Sequence, residues 1–308
     1  MICDNVLEAI GNTPMIRLNR MTSPGDAEVL VKYEAVNIGG SIKTRTAYSM
    51  IHEAELRGDI KPDSIIVEPT SGNQGIGLAL VGVVKGYKTI FIMPESVSVE
   101  RAKLLKNYGS EVILIEDKGD IGECIQKCVA TALKLKEENP KVFLPSQFEN
   151  PDNPAVHWNE TAAEILEQVG KTIHGFCSGI GTGGSISGIG GRLREVNPSI
   201  EIWAIEPENG AILCGGKIGS HIQMGIGDGL IPANLNTKIY DHVDIVSDEL
   251  ALRTAKDLAR LEGLMCGITS GTNVASALRL AKKLGKGKTV VTLIPDTGER
   301  YFSTPLFD

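Results

Sequence analysis

Short β-branched and apolar runs alternate along this chain with longer amphipathic stretches. The runs at 29–33, 64–68, 89–93, 111–115, 173–178, 200–205, 243–246 and 289–294 predict strands. Between them, residues near 42–57, 73–85, 98–108, 119–138, 154–169, 184–196, 247–262 and 271–284 carry helical periodicity. Ser247 reads as an N-cap, with Asp248 and Glu249 in the first turn, where the helix dipole favours anions. Strand–helix alternation of this kind predicts an α/β protein with mainly parallel sheets. Pro140, Pro145, Pro151 and Pro154 cluster at mid-chain and are the best candidate for a boundary between two lobes.

Composition narrows the class of function. The 308 residues are enough for two lobes, and 42% apolar with 22% charged is ordinary for a globular chain. A net charge of −7 argues against nucleic acid or an acidic membrane surface as partner, because both reward clustered Lys and Arg. The apolar run 76–84 stops at Lys85, too short to span a bilayer, and the N-terminus lacks the basic and apolar regions of a signal peptide. A cytoplasmic protein is expected. Cys3, Cys124, Cys128, Cys177, Cys214 and Cys266 form no zinc-type spacing, so no metal is expected, and they read as free buried thiols.

Small-molecule sites in open α/β sheets form beyond the carboxyl ends of strands, so motifs in those places carry most weight. In Gly39-Gly40-Ser41-Ile42-Lys43-Thr44-Arg45 a lysine opens a helix. Dipole and burial there disfavour the ammonium form and favour a nucleophilic amine, although alone the motif equally fits a solvated surface lysine. Glu68-Pro69-Thr70-Ser71-Gly72-Asn73-Gln74-Gly75 offers hydroxyls, an amide and free N–H groups at a helix start, an anion cradle or plain capping chemistry. Gly179-Ile180-Gly181-Thr182-Gly183-Gly184-Ser185 has glycine at four of the six positions 179–184, which is costly unless something such as a phosphate must come close. Gly179, Gly181 and Gly184 also satisfy a dinucleotide fingerprint, with Glu206 as the ribose carboxylate of an NAD-dependent oxidoreductase. That rival leaves the other two motifs unexplained.

Taken together the motifs resemble the cysteine synthase and cystathionine β-synthase family of fold-type II pyridoxal-phosphate enzymes. The resemblance runs through Ile10-Gly11-Asn12-Thr13-Pro14, the Lys43 and Asn73 motifs, Pro145-Ser146-Gln147-Phe148 and Gly181 to Ser185. It continues through Gly225-Ile226-Gly227, Gly267-Ile268-Thr269-Ser270-Gly271 and Gly298-Glu299-Arg300-Tyr301. It implies a two-lobed, tryptophan synthase β-like fold, each lobe a mainly parallel sheet flanked by helices. Residues 36–147 would form the smaller, mobile lobe, and 148–308 with 1–35 the larger. It implies pyridoxal 5′-phosphate as cofactor, a small amino acid as substrate and a homodimer.

Residue by residue, the resemblance implies that Lys43 binds the cofactor and acts as base at Cα. Asn73 would face the ring hydroxyl, Gly181, Thr182, Gly183, Gly184 and Ser185 the phosphate, and Thr269 the pyridine nitrogen, with Asp296 an alternative there. Thr70, Ser71, Gly72, Asn73 and Gln147 would hold the substrate carboxylate. The chain departs from the family at Gly227-Asp228-Gly229, where a small apolar residue is usual between the glycines. A carboxylate would repel hydrosulfide but could act as general base on water. The expected activity is therefore conversion of L-cysteine and water to L-serine and hydrogen sulfide, with Asp228 as base. Ordinary cysteine synthesis from O-acetyl-L-serine and sulfide is the nearest alternative. Gln74, where threonine is common, and Thr44, where an acid is common, are further departures.

Overall fold

The computed structural model describes residues 2–70, 72–95, 99–117, 121–216 and 218–308. All eight expected strands are present, within one or two residues at each end. They are β2 (Glu28–Tyr33), β3 (Ile65–Pro69), β4 (Lys88–Pro94), β5 (Glu111–Ile115), β7 (Gly175–Gly179), β8 (Glu201–Pro207), β9 (His242–Val246) and β10 (Thr289–Ile294). Two more, β1 (Met15–Arg17) and β6 (Val142–Phe143), are three and two residues long. No periodicity is readable over such lengths.

The strands form two sheets. One has six strands in the order β1-β2-β10-β7-β8-β9, and the other has four, β5-β4-β3-β6. Every pairing is parallel except β1 with β2. β10, central in the larger sheet, is buried at all six positions, as a parallel strand covered on both faces must be. Val290 and Ile294 pack toward α8 (Asp248–Asp257) and α9 (Ile268–Leu284); Val291 and Leu293 pack toward α6 (Ala162–Val169) and α7 (Gly184–Val196). The smaller sheet is covered on one face by α1 (Lys43–Arg57), α2 (Asn73–Lys85) and α3 (Val99–Asn107). On the other face lies α4 (Ile121–Glu138), whose Cys124 and Cys128 fill the layer against Val67 and Ile92.

Some local expectations need correcting. The helix expected over 154–169 begins as α5 (Asp152–Val156) and passes through a π-helical turn, His157–Thr161, before α6. The helix expected from 271 starts at Ile268, capped by Gly267 in extended conformation, which puts Thr269 on its first turn. The Thr-Ser-Gly run favours turns locally, and helix packing overrides that preference. The Ser247 cap is as expected, its hydroxyl accepting the Leu250 N–H at 3.3 Å. Cys124, Cys128, Cys177 and Cys266 are buried, but Cys3 is half-buried and Cys214 lies at the surface. No helix among the described residues is long and apolar enough to cross a membrane.

Candidate active site

The segment carrying Lys43 leaves β2 and is stitched to the carboxyl end of β10. The Ile42 N–H donates to the Pro295 carbonyl at 2.8 Å, and Ser41 pairs with Asp296 in an isolated antiparallel bridge. Lys43 is the first residue of α1. Burial holds its ammonium below the ordinary lysine range, and the Asp228 carboxylate partly offsets this. Burial in turn pushes the Asp228 carboxyl up, with Lys43 and His221 pulling it down. A Cβ placed on Gly181 would lie 3.7 Å from Asp228 Oδ2, so this carboxylate stands beside the glycine loop. His221 braces the same turn, its Nε2 lying 3.1 Å from the Gly227 carbonyl.

The glycine loop ends β7 and opens α7. The Ser187 N–H bonds back to the Gly183 carbonyl, so the N–H groups of Gly184, Ser185 and Ile186 precede the first such donor and have no acceptor within the helix. Close packing also demands these glycines. A Cβ on Gly181 would meet the Gly225 carbonyl oxygen at 2.2 Å, and one on Gly184 would meet Asn153 Oδ1 at 2.0 Å. Behind the loop, His157 is buried between Thr161 Oγ1 at 3.0 Å and Ser185 Oγ at 3.3 Å. Burial, with the charges of Lys43 and Arg45, lowers its pKa well below the usual value. Asn153 Nδ2 donates both to Thr182 Oγ1 (3.0 Å) and to the Gln147 carbonyl (2.7 Å).

Asn73 is the first residue of α2 and donates to Asp296 Oδ2 at 2.7 Å, while its own oxygen accepts from Arg300 Nη1 at 2.5 Å. Tyr301 donates its hydroxyl to the same Asp296 oxygen and accepts from Arg101, which reaches across from α3. Gly72 has φ +141°, and a Cβ there would sit 2.3 Å from the Arg101 side chain. Thr70 is buried, its hydroxyl accepting the Gly72 N–H at 3.1 Å. Ser71 lies outside the described residues. Thr269 donates its hydroxyl to the Met224 carbonyl at 2.8 Å, one residue before the carbonyl that abuts Gly181. Gln74 is buried, its amide oxygen held by Thr46 at 2.7 Å.

Most of the residues expected at the site are thus linked in one contiguous set. Asn153, His157, His221 and Arg101 belong to it and carried no local motif that would single them out; Arg300 stood in a motif but was given no role. Glu206, the carboxylate required by the dinucleotide rival, is buried and accepts the Leu213 N–H on both oxygens, at 3.1 Å each. It is buried and committed to its own chain, which disfavours a role on a ribose.

The chain is similar to known proteins over nearly its whole length. A family model described as pyridoxal-phosphate dependent enzyme matches residues 6–296. The chain is 49% identical over 305 residues to a cysteine synthase of Staphylococcus aureus, covering 99% of this chain and 97% of that one. It resembles the crystal structure of a hydrogen sulfide-producing enzyme from Fusobacterium nucleatum with a TM-score of 0.92 and 39% identity, over 97% of this chain and all of that one. The O-acetylserine dependent cystathionine β-synthase of Helicobacter pylori matches with a TM-score of 0.94 and 36% identity, over the full length of both. The chain belongs to the pyridoxal-phosphate-dependent enzymes, and within them to the cysteine synthase family.

The residues present fit the cofactor. A half-buried amine of depressed pKa suits an aldehyde, and the opening of α7, with N–H groups free of intrahelical acceptors, suits a phosphate. The buried Asp296 Oδ1 has no hydrogen-bond partner among the described residues, a further polar group left open where Asn73 and Lys43 meet the end of β10.

Proposed function

We propose that the protein converts L-cysteine and water into L-serine and hydrogen sulfide. The observation that carries this is Asp228, a half-buried carboxylate beside the glycine loop, where its charge and that of Lys43 act on each other. When bound, pyridoxal phosphate supplies an aldehyde for the substrate amine and an electron-withdrawing ring that acidifies Cα–H, so a leaving group on Cβ can depart. Thr70, Ser71, Gly72, Asn73 and Gln147 hold the substrate carboxylate, Thr269 faces the ring nitrogen, and Lys43 takes the Cα proton and later returns it. The carboxyl of Asp228, its pKa raised by burial, protonates the departing sulfur. The carboxylate so formed takes a proton from water as the oxygen bonds to Cβ, which regenerates the acid. Sulfur leaves as hydrogen sulfide, hydroxide replaces it, and no oxidant is needed.

Residues 36–147 act as the lobe that closes over substrate, and the working enzyme is a homodimer. The kinship with a hydrogen sulfide-producing enzyme supports the reaction. The kinship with cysteine synthases favours a second reading, O-acetyl-L-serine and sulfide to L-cysteine and acetate. Supplying L-cysteine alone and identifying the products separates the two. The expected products are serine and hydrogen sulfide in equal amounts. Asp228→Asn should lower serine formation by about 10²–10⁴-fold, while L-cysteine still perturbs the cofactor's absorbance. Unchanged serine formation in that variant removes Asp228 from the mechanism.

A further inference from the structure

Gln147 sits on a tightly turned segment whose backbone is gripped from three directions. Glu68, in β3 and 1% exposed, accepts the Ser146 N–H on Oε2 at 2.9 Å and the Gln147 N–H on Oε1 at 3.0 Å. The Gln147 carbonyl receives Asn153 Nδ2 at 2.7 Å and Asn234 Nδ2 at 2.9 Å. Ser146 has φ +58°, one of two non-glycine residues with positive φ among those described, a conformation that persists only where the surroundings impose it. β6 pairs with β3 and delivers the chain to this turn within three residues, so Glu68 and the turn are neighbours by sheet register.

We propose that Glu68 is the positioning residue of the substrate-carboxylate site, its two oxygens holding the Ser146 and Gln147 peptides so that the Gln147 side chain is aimed at the substrate. The proposal rests on the reading above that Gln147 binds that carboxylate. Two adjacent N–H donors need two acceptor oxygens, and only an ionised carboxylate offers both. Protonation, or replacement by an amide, turns one acceptor into a donor facing an N–H. Burial pushes the Glu68 carboxyl up to about 7; the two N–H groups oppose this, and no charged side chain is among the influences. The clamp therefore holds at mildly alkaline pH and loosens as pH falls through neutrality. The carboxylate is ionised above that value and protonated below it.

The test titrates the holoenzyme with L-serine, following the cofactor's absorbance, so that binding is read without turnover. Glu68→Gln should raise the dissociation constant at least about tenfold, with cofactor content per chain unchanged. In a Gln147→Ala background the same substitution should have less than a threefold effect, since its route of action is gone. Hydrogen exchange at the Ser146 and Gln147 amides should quicken in Glu68→Gln even without substrate. Wild-type protein gives a check that does not depend on a variant folding. Its dissociation constant should rise between about pH 8 and 6 with a slope steeper than that of Gln147→Ala, which keeps only the pH dependence of the substrate amine. Equal pH slopes in wild type and Gln147→Ala, unchanged affinity in Glu68→Gln, or multiplicative effects of the two substitutions would overturn the proposal alone. A wild-type spectrum indifferent to L-serine would overturn the carboxylate-site reading and, with it, this proposal.

Discussion

Lys43 and Asp228 have side chains whose chemistry in water would be unhelpful, an ammonium and a weak carboxylate base. Burial draws both toward their neutral forms, and each charge restrains the shift of the other. The glycines around them act by subtraction. Gly184 leaves room for Asn153, whose amide ties Thr182 to the Gln147 peptide. Gly184→Ala would push a methyl into Asn153 Oδ1 and break that tie, an overpacking cost of about 1–3 kcal/mol. Its expected outcome is a cofactor dissociation constant raised about tenfold or more, measured by equilibrium dialysis and absorbance. At this scale Lys43, Asn73 and the glycine loop were legible because motif and helix start coincide. Asn153, His157 and Glu68 were not, because their partners lie distant in sequence and only packing brings them into contact.

Elements are fixed to one another beneath the site by a buried ionic cluster. Arg45 of α1 pairs with Glu34 at 2.9 Å and with Glu164 of α6 at 2.6 Å, and the Lys32 ammonium of β2 reaches Glu164 at 2.6 Å. Thr13 joins through its hydroxyl and carbonyl, which is how the 10–14 motif is held to the fold. Despite partial burial, Arg45 and Lys32 hold the Glu164 carboxyl down to about 2. A carboxyl whose pKa falls on folding contributes stability above its unfolded value and loses it as pH drops toward the folded one. Thermal midpoints should therefore fall between about pH 4.5 and 2 more steeply in wild type than in Glu164→Gln. At neutral pH that variant should be less stable by about 3–5 kcal/mol in urea unfolding, since two buried cations lose their shared partner. The central strands were legible here because parallel β-branched runs are buried on both faces. The π-helical turns His157–Thr161 and Leu258–Glu262 were not, since they keep the apolar spacing of an ordinary helix.

Over the whole molecule, two mainly parallel sheets present the carboxyl ends of β2, β3, β7 and β10 to one shared region. The Lys43 segment, the Thr70 loop, the glycine loop and Asp296 issue from these ends. Strand–helix alternation led to an α/β class with mainly parallel sheets, and the two-lobed architecture was expected from the resemblance. The way β10's exit clamps the Lys43 segment did not, because a single antiparallel bridge between Ser41 and Asp296 leaves no pattern in either stretch. The proposed reaction depends on the Lys43 amine at that clamp condensing with the cofactor. Borohydride reduction of the loaded enzyme, followed by peptide mapping, tests this most directly. A reduced pyridoxyl group on the peptide containing Lys43 is predicted; a label on another lysine, or on none, would contradict the account.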